Sequence, residues 1–139
     1  MHVHLTVASD MKDLRDFKQL VAFEAQRKRP KTWPMNGGIQ LLITFSLERP
    51  KSLPKKVVDP LKRPAIDKLL NAVISSLTGI LITDGSQVLD VMMIKEYGRR
   101  RSSSAKIVVD TIPARKIIKK SKASSRKRRK PLDRKGEGD

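Results

Sequence analysis

Hydrophobic and polar positions alternate with two different periods along the chain, and the change of period divides it into elements. Ile39, Leu41, Ile43, Phe45 and Leu47 occupy every second position, the period of a strand with one buried face. Between Lys62 and Val88 the period lengthens. Ile66, Leu69, Leu70, Val73, Ile74 and Leu77 recur at i, i+3, i+4 and i+7, which lays an apolar stripe along one face of a helix. Met11, Leu14, Phe17, Leu20, Val21 and Ala25 follow the same spacing, so a second amphipathic helix is predicted from Met11 to about Arg27. Ser9 or Asp10 would cap it, and the basic run Arg27-Lys28-Arg29-Pro30-Lys31 would end it.

Shorter patterns complete the set. Val3, Leu5 and Val7 alternate weakly and predict an edge strand. Gln87 to Tyr97 is apolar on both sides, with Leu89, Val91 and Met93 on one and Val88, Met92 and Ile94 on the other. Such a strand is expected inside a sheet covered on both faces. Ile107 to Val109 predicts a last short strand. The expected fold is an α/β domain over 1–112, strand-helix-strand-helix-strand-strand, with two helices on a small mixed sheet. A basic tail over 113–139 has the composition of a disordered segment.

Composition narrows the function. The chain has 139 residues and a formal net charge of +17, with no cysteine. From Arg99 to Asp139 sixteen Lys and Arg stand against four Asp and Glu, a net of +12, leaving +5 for the first 98 residues. A charge of this size and sign points to a polyanion, most simply nucleic acid. The absence of cysteine excludes disulfides and thiolate metal sites and fits a reducing cytoplasm. No apolar run reaches the length of a membrane-spanning helix and the N-terminus lacks a signal-peptide pattern, so neither a membrane partner nor export is expected. No Gly-rich phosphate loop or Ser-His-Asp order is present, and no small-molecule cofactor is expected.

Several residues invite a chemical reading. Asp67 falls in the first turn of the second helix, after Pro64, and Asp84 falls in the turn Thr83-Asp84-Gly85-Ser86. A helix start and a strand start can meet in space, where two carboxylates could share a divalent ion. On residue types alone each is also an ordinary first-turn acid and turn former. The segment Glu48 to Lys56 carries Arg49, Lys51, Lys55 and Lys56 between two prolines, suited to tracking a phosphate backbone. Trp33 is either a stacking platform for a base or a lid on the core edge. His2 and His4 share a strand face but lack further ligands, and solvent-exposed side chains are expected.

Lys62-Arg63-Pro64, Asp67-Lys68-Leu69, Ala72-Val73, Leu77-Thr78-Gly79, Asp84 and Ser86-Gln87-Val88 stand in an order that resembles the RusA family of Holliday-junction resolvases. These are small Mg2+-dependent endonucleases of bacteria and phages. Val21-Ala22-Phe23-Glu24-Ala25-Gln26 and the segment from Phe45 through Arg49-Pro50-Lys51-Ser52 add to the likeness, which covers about Phe17 to Gly98.

The resemblance implies a homodimer that binds four-way DNA junctions, with one metal site per subunit. Asp67 and Asp84 would hold Mg2+, or Mn2+, to activate a water, and Lys68 or Lys62 would offset developing charge. Lys62, Arg63, Arg99, Arg100 and Arg101 join the loop cations as expected DNA contacts. The chain also departs from the family. Ala65 and Gly85 replace usual Asp residues, Asn71 a usual basic residue, and Ser75 a usual Asp. A poorly held Mg2+ is therefore expected, with Asp59 a conjectural substitute ligand. The opening strand is shorter than the resemblance implies, so a truncated start is expected. Three functions follow as expectations: an endonuclease with a weakened site, a junction binder that does not cut, and a non-specific nucleic-acid binder acting through the tail.

Overall fold

In a computed structural model of the chain, the structure describes residues 1–9, 12–56, 60, 64–98 and 102–113. Strands β1 (His2–Ala8), β2 (Gly38–Leu47), β3 (Val88–Tyr97) and β4 (Ser104–Ile112) form one sheet in the order β1-β4-β2-β3. Helices α1 (Leu14–Lys28) and α2 (Ile66–Leu77) cover one face of it. β4 runs antiparallel to both β1 and β2, whereas β2 and β3 are parallel. Parallel neighbours need a crossover, and α2 supplies it. The predicted element order and mixed sheet are both present.

The two periods in the sequence become the two halves of the core. Ile39, Leu41, Ile43, Phe45 and Leu47 of β2 point to the helices with Val3, Leu5 and Val7 of β1 and Ala105, Ile107 and Val109 of β4. Opposite them lie Phe17, Val21 and Ala25 of α1 and Leu69, Ala72, Val73 and Leu77 of α2. Phe17 and Phe45 meet with ring centroids 6.0 Å apart. Burial of these aliphatic side chains, each worth about 1.5–3 kcal/mol when complete, is the main force holding helices to sheet. No buried side-chain nitrogen or oxygen among the described residues lacks a partner.

Three features differ from the sequence reading. α1 begins at Leu14, and its cap is Asp13, whose carboxylate accepts from the Arg15 amide at 2.9 Å; Ser9 instead donates its amide to the Ser103 carbonyl. Asp10 and Met11 lie outside the described residues. β4 spans nine residues and sits inside the sheet, longer than Ile107 to Val109 alone suggested. β3 lies at the edge of the sheet. Leu89, Val91, Met92 and Ile94 are exposed on it, whereas Val88, Met93 and Tyr97 pack against the core, so the strand is covered only in part within one chain. The expected disordered tail falls outside the described residues.

Candidate functional site

α2 sets the positions of both candidate carboxylates. Its N-cap is Ala65, which makes no side-chain capping bond. Asp67 follows in the first turn, exposed, where the unpaired amides and the helix dipole favour a negative charge. Lys68 is exposed beside it and lines a shallow groove between the helices with Lys18, Asn71 and Ser75. Lys95, near the far end of β3, donates to the Pro64 carbonyl at 3.1 Å and ties this end of α2 to the sheet.

Asp84 stands at the other end. Gly79, at φ 90°, turns the chain out of α2, and a short 3-10 turn, Gly85–Gln87, leads into β3. The Asp84 carboxylate accepts from the Ser86 hydroxyl and from the Ser86 amide, the latter at 2.9 Å. Those two bonds, the hydroxyl first, hold its carboxyl below the ordinary aspartate range.

Gln87 completes the turn in a way the sequence reading missed. Its side-chain oxygen accepts from the amides of Thr83 and Asp84 at 2.7 and 2.9 Å, and its amide nitrogen donates to the carbonyls of Met35 and Gly37 at 2.7 and 2.9 Å. The Asp-x-x-Gln spacing from Asp84 to Gln87 is a capping-box signal that could have found it.

Asp67 and Asp84 are therefore not brought together on one chain. From Asp67 to Ile74, the helical residue that lies against Gly85, the rise along α2 is about 10 Å. Among the described residues no group of three or more His, Asp or Glu could hold a metal ion.

The basic loop divides in two. Lys51, Lys55 and Lys56 are exposed. Arg49 folds back: its guanidinium lies 5.4 Å from the Tyr97 ring centroid and donates to the Pro54 carbonyl at 2.6 Å. Trp33 is buried, with its indole N–H donating to the Leu81 carbonyl at 2.8 Å, so it serves as a core lid. Asp90 is exposed and accepts from the Gln40 side chain at 3.1 Å, away from both candidate carboxylates in hydrogen bonding. His2 and His4 are exposed and meet edge to face. Asp59, Lys62, Arg63, Arg99, Arg100 and Arg101 lie outside the described residues. No helix among the described residues is long and apolar enough to cross a membrane.

A comparison with curated proteins found no match. A family model described as endodeoxyribonuclease RusA matches residues 4–110. That span takes in β1 through most of β4, both helices and both candidate carboxylates. Members of the family are endonucleases that resolve Holliday junctions and generally depend on a divalent metal. The chain, by the match across most of its sheet and both helices, belongs to the RusA endodeoxyribonuclease family.

Proposed function

We propose that this chain binds four-way DNA junctions as a homodimer and cleaves them weakly with Mg2+ or Mn2+. The observation that carries the reading is the family match over 4–110, which includes the carboxylates at both ends of α2. Lys51, Lys55 and Lys56 are exposed on a loop before α2 and suit contacts to the phosphate backbone. Lys68, next to Asp67, is suited to offset charge on a phosphate there. Lys62, Arg63, Arg99, Arg100 and Arg101 add further cations along the sequence. A soluble protein of the bacterial or phage-infected cytoplasm fits this role.

The separation of Asp67 from Asp84 supports a dimer. Their separation favours an ion held between Asp67 of one chain and Asp84 of the partner subunit. The open edge of β3, with Leu89, Val91, Met92 and Ile94 exposed, is suited to meet a second chain. Ala65 and Gly85 bring no carboxylate to either end, and that favours a second reading, a junction binder that has lost cleavage.

One paired assay separates these readings: gel shift on a labelled four-way junction in Ca2+ against linear duplex, then cleavage in Mg2+ or Mn2+. Junction-selective binding with symmetric paired cuts, abolished by Asp67→Asn, establishes the nuclease. Selective binding without cuts establishes the binder. No selectivity refutes both and leaves the basic tail as a non-specific nucleic-acid binder.

A further inference from the structure

At the end of the sheet where α2 begins, the structure holds a cavity of about 400 Å³. Leu47, Pro60, Pro64 and Tyr97 form its apolar wall, and Glu48, Ser103 and Lys12 stand at its polar side. Leu47, Pro60 and Ser103 are buried, and the Ser103 hydroxyl accepts from the Glu48 amide at 2.9 Å. That bond fixes the backbone from which the Glu48 side chain projects. Arg49, the next residue, spreads its guanidinium over the Tyr97 ring. Pro64 closes the wall one residue before the α2 cap, and Asp67 follows within the first helical turn.

The chemistry of this wall is that of a seat for a flat aromatic group. A phenol ring paired with a planar guanidinium stacks on any π-face, and prolines and leucine offer apolar contact without competing hydrogen bonds. The volume lies within the usual range of ligand pockets. A carboxylate at the rim adds direction. Glu48 can only accept when ionised, so it pairs with an exocyclic amino group, whereas an unpaired thymine offers it one N3–H donor flanked by two carbonyls that repel a carboxylate. The loop that leads away from Arg49 carries Lys51, Lys55 and Lys56, all exposed.

We infer that this cavity seats one unstacked nucleobase of the DNA strand that passes Asp67. The base lies against Tyr97, whose ring Arg49 backs, and Glu48 prefers an amino-bearing base to thymine. A branch point suits such a site because its flanking bases unstack at lower cost than those within a duplex. The inference rests on the junction-binding reading above and supplies a specificity determinant that the carboxylates do not.

The test is a cycle between protein and DNA, read as affinity in Ca2+ with the full chain. Each nucleotide flanking the branch point is replaced in turn by an abasic residue, and binding is compared for the native chain, Tyr97→Leu and Tyr97→Phe. At one position the abasic change should weaken the native chain about tenfold, within the range for loss of one base–aromatic stack. Tyr97→Phe should keep that sensitivity and Tyr97→Leu, which retains apolar volume, should lose it.

Glu48→Gln should erase a preference against thymine at the same position, because an amide both donates and accepts. Equal abasic effects in the native chain and Tyr97→Leu at every position would overturn the inference while leaving junction selectivity intact. Loss of selectivity over duplex in the native chain would instead remove the reading on which it stands.

Discussion

A Cβ at position 85 would come within 3.2 Å of Ile74 Cγ2, so the turn after Asp84 lies directly against the last turns of α2. Glycine here spares a close contact, since a side chain at 85 would require the Ile74 branch to give by a few tenths of an ångström. Gly85→Asp is expected to lower stability by about 1 kcal/mol, an overpacking cost. Combining it with Ile74→Leu, which removes the γ2 branch and keeps the volume, should recover most of that loss. Urea midpoints of the two variants check it.

The opposite end of α2 should respond in the other direction. Ala65 occupies the N-cap with extended backbone and no side-chain bond. Ala65→Asp supplies an acceptor for the first-turn amides and is expected to add about 1 kcal/mol of stability. It also puts a carboxylate two residues from Asp67. Calorimetric titration with Mn2+ should show tighter binding in Ala65→Asp combined with Gly85→Asp and Ile74→Leu than in the native chain, and cleavage should rise with it.

Asp84 should titrate below an ordinary aspartate because Ser86 donates both its hydroxyl and its amide to the carboxylate. Its folded pKa is depressed, so the stability it contributes is present above the unfolded pKa and is lost as pH falls through the folded value. Ser86→Ala removes the hydroxyl donor and should move the titration upward toward the ordinary value, observable by carboxyl-carbon NMR. An unchanged titration in Ser86→Ala would refute the hydroxyl as the main cause.

Trp33→Phe should cost stability without changing DNA affinity. The substitution keeps an aromatic lid but leaves the buried Leu81 carbonyl without the indole donor, a loss of about 1–3 kcal/mol. Parallel measurements of thermal midpoint and junction affinity decide between this structural role and a base-stacking one.

Removing residues 114–139 deletes twelve Lys and Arg against three Asp and Glu. Fewer released counterions should flatten the dependence of affinity on salt, while preference for a junction over duplex should persist. If preference disappeared with the tail, the folded domain would not be the source of selectivity.

The order and type of the strands and helices were legible from residue pattern alone, and the ordered string from Pro64 to Val88 pointed to the family. Period two in β2 and period 3.6 in α2 are local consequences of backbone geometry, so alternation at Ile39 to Leu47 and the stripe from Leu69 to Leu77 could be read without tertiary contacts. β3 was harder because periodicity reports which sides are apolar and says nothing of what covers them. Its place at the sheet edge depends on pairing with β2 and on β4 entering between β2 and β1, contacts remote in sequence.

The same limit applied to the carboxylates. Asp67 and Asp84 are legible as residues, but a twelve-residue helix lies between them, and its rigid rise keeps them apart on one chain. Only the tertiary structure showed that Gln87 pins the Asp84 turn to Met35 and Gly37, and that Arg49 turns from the basic loop onto Tyr97. Those contacts join residues distant in the chain, and their cause is the packing of the whole sheet against its two helices.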